Sequence, residues 1–287
     1  MQSQKTGAPL GQNAGNPAIQ LSNVTKRYGS VTALSGVDLK VMRGEVYGIL
    51  GPNGAGKSSM IKVIAGVTEP TSGSVHVMGQ SLSTQLIEVK SQIGYVPETP
   101  VLYESLSPRE LFEFVGSVRK IDASSANERV AKLAAAFGLE QYYDSPIATL
   151  SMGTKQKISI MASLLHKPPL LLLDEPLNSL DSKSGRIVKD LIQIHTRKNG
   201  GAVLFSTHIM EIAENICDRI GIIYQGKIIA EGTLDQLRRE ARATRGRSVS
   251  EKDATLEEVF LALTGEDDQL AQTISTLRKS FENEPSP

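Results

Sequence analysis

The octapeptide GPNGAGKS at positions 51–58 limits what this chain can become more than any other stretch. It follows an apolar run, Glu45 to Leu50, and leads into Met60, Ile61, Val63 and Ile64, which recur at helical spacing. Strand, glycine-rich turn and helix in that order are the context of a phosphate loop. Gly51, Pro52, Asn53, Gly54, Ala55 and Gly56 let the backbone curl until successive N–H groups converge on phosphate oxygens. The helix start at Lys57, Ser58 and Ser59 adds partial positive charge. Lys57 supplies a full charge to β- and γ-phosphates, and Ser58 a hydroxyl for Mg²⁺.

The rest of the chain reads as α/β. Ile19 to Val24, Gly36 to Val41 and Ser74 to Val77 have strand patterns near the amino end. From about Glu98 to Lys167 helical patterns replace strands and predict a helical insert. Its clearest start is Ser107-Pro108-Arg109-Glu110, a Ser cap, Pro in the first turn and Glu placed to close a capping box. Leu111, Phe112, Val115 and Val118 then make an inner face. A second helix runs from about Ala126 to Phe137 and stops at Gly138. Leu170 to Leu173 and Val203 to Phe205 read as buried parallel strands, with a helix over 182–197 between them. RIGIIYQGKIIAEG predicts a hairpin about Gln225-Gly226, residues 241–253 a polar loop, and TLEEVFLALTG a short helix. Leu270, Ile274, Leu277 and Phe281 recur at helical spacing, as an amphipathic helix for a partner or membrane surface or as a frayed tail.

Composition removes several classes. Lys plus Arg equals Asp plus Glu at 31 each, so no long-range field gathers nucleic acid or anionic lipid. One cysteine, Cys217, excludes an internal disulfide framework and is expected to pack as a small apolar residue. No apolar stretch approaches the ~18 residues of a membrane span. Residues 1–17 lack the basic start and apolar stretch of a signal peptide and read as a flexible polar arm.

A phosphate loop alone does not separate kinases, switch GTPases and motor ATPases. LLLLDEP supplies the second element, an apolar strand that ends in Asp174 and Glu175, so both carboxylates emerge where open α/β sheets bind ligands. Asp174 would hold Mg²⁺, directly or through water. Glu175 is placed to accept a proton from an attacking water. LSMGT at 150–154 adds Ser151 and Gly153 at a helix start, a hydroxyl among unpaired N–H groups beside a position open to close backbone approach.

With these elements in hand, the chain resembles the ATP-binding cassette ATPases over roughly residues 18–264. The phosphate loop, GYVPE at 94–98, LSMGT, LLLLDEP and STH at 206–208 stand in the family's order. A GTPase switch or small-molecule kinase does not explain LSMGT and STH. The resemblance implies a P-loop NTPase, RecA-like core with an N-terminal antiparallel β subdomain and an inserted α-helical subdomain. Its expected limits are an arm at 1–17, the nucleotide-binding domain at 18–240 with the helical part at about 98–167, and an extension with short helices at 241–287.

The resemblance also implies roles. His208 would be the switch histidine that contacts the γ-phosphate and links Glu175 to water. Tyr28 would stack on adenine, and Glu98 would reach the metal where the family usually has Gln. Two cassettes would stack head to tail, so that Ser151 and Gly153 of one face the γ-phosphate held by Lys57 of the other, with Asp181 supporting the opposing site. Met152 and Thr154 stand where the family has Gly and Gln; the Met152 side chain would crowd the nucleotide or lean toward the membrane partner. Val101, Leu102 and Tyr103 would line a groove for a coupling helix of a membrane permease. The implied protein hydrolyses ATP with Mg²⁺, pairs with a second nucleotide-binding subunit, identical or not, and powers a separate permease from the cytoplasmic, inner face of the cell membrane. TLEEVFLALTG and Glu98 resemble the export-type group. The alternative is a soluble cassette ATPase acting on nucleic acid or the ribosome; zero net charge and the lack of heptad arms or a second cassette count against it.

Overall fold

The computed structural model describes residues 16–245 and 254–265. In chain order the elements begin with strands β1 (Ile19–Tyr28), β2 (Val31–Val41) and β3 (Val46–Leu50), then helix α1 (Lys57–Ile64). Next come β4 (Ser72–Val77), β5 (Gln80–Ser81), α2 (Leu86–Ser91) and β6 (Ile93–Val96). Three helices follow, α3 (Pro108–Val118), α4 (Ala123–Phe137) and α5 (Met152–Leu164). The alternation then resumes with β7 (Leu170–Asp174), α6 (Ser182–Arg197), β8 (Ala202–Thr207), α7 (Met210–Ile216), β9 (Arg219–Tyr224) and β10 (Lys227–Gly232). Two helices close it, α8 (Leu234–Arg245) and α9 (Leu256–Thr264).

The strands form two sheets. An antiparallel one has the order β2-β1-β4-β5; the other, β10-β9-β3-β8-β7-β6, is parallel except for β10 at its edge. This is the α/β arrangement of a P-loop NTPase core with an antiparallel β layer and an inserted helical layer.

Strands β3, β7 and β8 are buried along their whole length, which is why they read as continuous apolar runs. Their side chains still alternate. Tyr47, Ile49, Leu170, Leu172 and Leu204 pack with the antiparallel sheet and with Met60, Ile61 and Ile64 of α1. Leu171, Leu173, Val203 and Phe205 face the other way, onto Leu111, Phe112, Val130, Phe137 and Ile158 of the inserted helices. Each fully buried side chain of this kind contributes about 1.5–3 kcal/mol, so the central sheet joins both layers rather than merely connecting them. A third cluster seats Leu256, Val259 and Phe260 of α9 against Leu237 and Ala241 of α8 and Ile220 and Ile222 of β9. Cys217 packs between the second and third clusters.

Local signals hold where the chemistry is local. Ser107 and Glu110 close the capping box of α3 with Pro108 in its first turn, and Gly138 ends α4 in the left-handed region. Gln225 and Gly226 both have positive φ, the two-residue turn that joins β9 to β10. Two expectations change. Val118 does not face inward; it is 62% exposed on the rim of a groove. Residues 241–245, read as loop, continue α8 because Leu237 and Ala241, one turn apart, are buried beneath an otherwise polar helix. Residues 1–15, the remainder of the expected loop at 246–253 and the apolar series 270–281 lie outside the described residues. Among the described residues no helix is long and apolar enough to cross a membrane.

Candidate functional site

Strand register brings the sequence motifs to one edge. Leu50 of β3 pairs with Thr207 of β8, Asp174 of β7 with Ser206, and Val96 of β6 with Leu173. Four parallel strands therefore end level, and the segments that follow them emerge side by side at the carboxyl end of the sheet, where ligands bind in open α/β folds.

The turn after β3 curls back on itself. Gly54 and Gly56 have φ of 81° and 114°, and Gly56 is the residue before the first turn of α1. A Cβ at Gly56 would stand 2.4 Å from the Ala33 carbonyl oxygen, so only glycine fits both the angle and the space. Met60 N–H donates to Gly56 O at 2.9 Å. The earlier N–H groups, of Lys57, Ser58 and Ser59, are the open donors of a helix start. Ala55 N–H donates to Pro52 O, and Ala55 O accepts from Gly226 N–H, fixing the turn against the β9–β10 hairpin. Lys57, 6% exposed, donates its ammonium to Gly51 O (2.7 Å) and Pro52 O (3.1 Å).

The acidic pair points two ways. Asp174, 1% exposed, accepts at Oδ1 from Ser58 Oγ (3.1 Å) and Ser206 Oγ (2.6 Å). Glu175 follows in the left-handed region at φ 47°, a conformation that costs a non-glycine residue roughly 1–3 kcal/mol and is found at functional sites. Its N–H donates to Ser206 Oγ at 3.0 Å. Its Oε1 lies 3.0 Å from His208 Nδ1 and 3.7 Å from Lys57 Nζ. Ser206 thus ties both carboxylate-bearing residues to β8. It was readable only as the first letter of STH, because nothing in its sequence position says that its hydroxyl bridges two neighbours on another strand.

The cluster unites Lys57, Ser58, Asp174, Glu175 and His208. A second group forms around α5. Ser151 caps it, accepting from Thr154 N–H at 3.2 Å, and is exposed, as is Met152 beside it. A Cβ on Gly153 would stand 2.5 Å from Ser179 O. Asp181 caps α6 through Ser184 N–H (2.8 Å) and pairs with Lys157 (2.9 Å); these bonds, Lys157 first and Ser184 next, hold its carboxyl well below the usual carboxylate range.

Tyr28, 45% exposed, ends β1 with the Lys26 ammonium 4.8 Å from the centre of its ring. Glu98 is exposed and shares with Asp174 the lining of a groove of about 760 Å³. Val101, Leu102, Tyr103, Phe114 and Val118 give that groove apolar walls, with the Tyr103 and Phe114 rings edge to face at 5.5 Å. Among the described residues no three acidic, His or Cys side chains gather as a metal cage. A cation held by Ser58 and Asp174 would take its other ligands from phosphate and water, the habit of Mg²⁺ at nucleotides and a fit to the donors present.

The ABC transporter family matches residues 34–178. The probable multidrug ABC transporter ATP-binding protein YbhF of Escherichia coli (strain K12) is 34% identical over 249 residues, 87% of this chain. This chain spans only 42% of that relative's length. The linearmycin resistance ATP-binding protein LnrL of Bacillus subtilis (strain 168) is 37% identical over 219 residues, 76% of this chain and 70% of its own. The solved dimeric structure of a post-hydrolysis state of the ATP-binding cassette MJ0796, bound to ADP and Pi, superposes with a TM-score of 0.70 at 28% identity, covering 75% of this chain and 98% of that one. Agreement with two proteins across most of this chain's sequence, and with a solved cassette in the path of the backbone, leads to one conclusion: this chain belongs to the ABC transporter family, among its ATP-binding cassettes.

Proposed function

We propose that this chain hydrolyses ATP to ADP and phosphate as the nucleotide-binding subunit of a transporter, and that it drives a separate membrane permease in the outward direction. The observation that carries the reading is the Glu175 carboxylate, 5% exposed, held between His208 and Lys57 at the mouth of the phosphate loop. Gly51 to Ser59 cradle the phosphates, and Lys57 places its charge on them. Glu175 takes the proton of the attacking water, and His208 orients that carboxylate and contacts the γ-phosphate. Tyr28 stacks on adenine. Mg²⁺ would be held by Ser58, Asp174 and Glu98 and would supply charge that offsets the phosphate oxygens.

The cassette works in pairs. Ser151, Gly153 and Asp181 of one copy meet the γ-phosphate gripped by Lys57 of the other, so ATP joins the two and hydrolysis releases them. The MJ0796 dimer supports pairing, and the resistance and multidrug names of YbhF and LnrL support export. The apolar groove at Val101, Leu102 and Tyr103 suits a helix of the permease, which would hold the subunit to the inner face of the membrane. Residues 18–240 form the working cassette and 241–287 an extension.

The test is phosphate release by the full chain with ATP and Mg²⁺. Glu175→Gln, which keeps shape and loses basicity, is expected to bind ATP normally and to lower turnover by about 10²–10⁴-fold. Undiminished turnover would remove Glu175 as the base.

A further inference from the structure

Gly153, Gln156 and Lys157 stand at i, i+3 and i+4 on α5, hence on one face of the helix. All three hold the segment that leaves Glu175. The Gly153 backbone lies against Ser179 O, where a Cβ would come within 2.5 Å. Gln156, 1% exposed, donates Nε2–H to Pro176 O at 3.3 Å. Lys157, its side chain 16% exposed, reaches Asp181 Oδ2 at 2.9 Å. Asp181 accepts in addition from Ser184 N–H and Ser184 Oγ, each at 2.8 Å. The segment itself is irregular. Glu175 and Ser179 both have positive φ, and only Asn178 N–H to Glu175 O and Leu180 N–H to Leu177 O brace it from within. Its course between strand and helix is therefore set largely by α5.

We propose that Lys157 is a positioning residue: by holding Asp181 it locks residues 176–181 to the helix tip that carries Ser151 and Gly153, so that both surfaces meet the opposing nucleotide as one rigid unit. The inference rests on the paired-cassette reading above. Lys157 belongs to neither the phosphate loop nor the acidic pair, so its loss acts on closure of the pair and leaves nucleotide capture by a single chain alone. The same contacts give the tip a route to its own site, because the locked segment follows directly on Glu175.

The experiment measures ATP-dependent dimerisation of the full chain by sedimentation velocity in a Glu175→Gln background, in which turnover is slowed. Lys157→Ala is expected to weaken dimerisation roughly three- to tenfold, Lys157→Arg to restore most of it, and the affinity of the single chain for a fluorescent ATP analogue to stay constant. Asp181→Asn with Lys157→Ala is expected to be no worse than the more severe single change, since the Lys157–Asp181 pair is lost in either. Dimerisation undiminished by Lys157→Ala, losses that add in the double variant, or a loss that follows falling nucleotide affinity and is not rescued by arginine would each overturn the assignment. A Glu175→Gln parent that stays monomeric in ATP would instead overturn the paired-cassette reading itself, and this inference with it.

Discussion

The Glu175 carboxylate lies 3.0 Å from His208 Nδ1, a contact made between the ends of two neighbouring parallel strands. With its proton on Nδ1, the imidazole donates to Oε1, the oxygen that Lys57 also approaches at 3.7 Å. Glu175 is buried and the His208 side chain 46% exposed, so the histidine covers the carboxylate from the solvent side.

His208→Ala removes that cover and the bond that orients the carboxylate. Turnover is expected to fall about 10²-fold while ATP affinity falls far less, because the phosphate-loop N–H groups and Lys57, which hold most of the phosphate charge, are untouched. Steady-state kinetics with a separate binding titration distinguish the two. Loss of binding in proportion to turnover would assign His208 to nucleotide capture instead.

Ser151→Arg tests the facing-tip geometry. Ser151 is the exposed cap of α5, so the substitution costs the helix about 1 kcal/mol of capping and places a bulky cation where a second chain would close. Hydrolysis is expected to drop severely while the single chain still binds ATP. Normal turnover would mean that no second chain closes on this tip.

How far the sequence alone could lead follows from where each kind of information lies. The phosphate loop, the capping box at Ser107 and Glu110, the stop at Gly138 and the span of α6 were legible because their causes lie within a few consecutive residues. The bridge made by Ser206 was not, because it depends on β8 lying beside β7 in one register. Nor was the left-handed turn at Glu175, since a glutamate carries no local signal for positive φ. Helix α8 gives little signal because its buried stripe is only a few residues wide in a strongly polar stretch, and α2 and α7, at six and seven residues, are too short for periodicity to register. The hold of Lys157 on Asp181 spans two elements, so no single stretch of the chain announces it.

His166 gives the chain an acid-side weakness. Burial foremost, and the nearby Arg119 guanidinium next, push its imidazole from the ordinary 6.5 down to about 4, against a weaker opposing bond to Ile93 O. Its Nδ1 has no partner among the described residues. The unfolded chain takes up this proton near 6.5 and the folded chain only near 4, so folding stability falls as pH drops across that window and is intact above it. His166→Gln is expected to flatten this limb in thermal unfolding followed from pH 7 to 4.5, about the range the linkage covers. An unchanged slope would show that other groups set it.

Gly54 and Gly56 offer a comparison within one loop. Both have positive φ, but a Cβ at Gly54 meets nothing within 4 Å, whereas at Gly56 it meets the Ala33 carbonyl oxygen at 2.4 Å and Leu34 Cδ2 at 3.1 Å. Gly54→Ala therefore carries backbone strain alone, on the order of 1 kcal/mol. Gly56→Ala adds a collision with backbone that cannot rotate away, at an angle of 114° that side-chain-bearing residues hardly adopt. The strain at Gly56 is expected to reach roughly 1–3 kcal/mol before the collision is counted. Because this glycine sets the direction of the Lys57 and Ser58 N–H groups, the change is also expected to cost ATP affinity. Unfolding midpoints and ATP titrations of the two variants side by side check the order, and equal damage at both positions would mean that the loop bends as a whole to admit the methyl group.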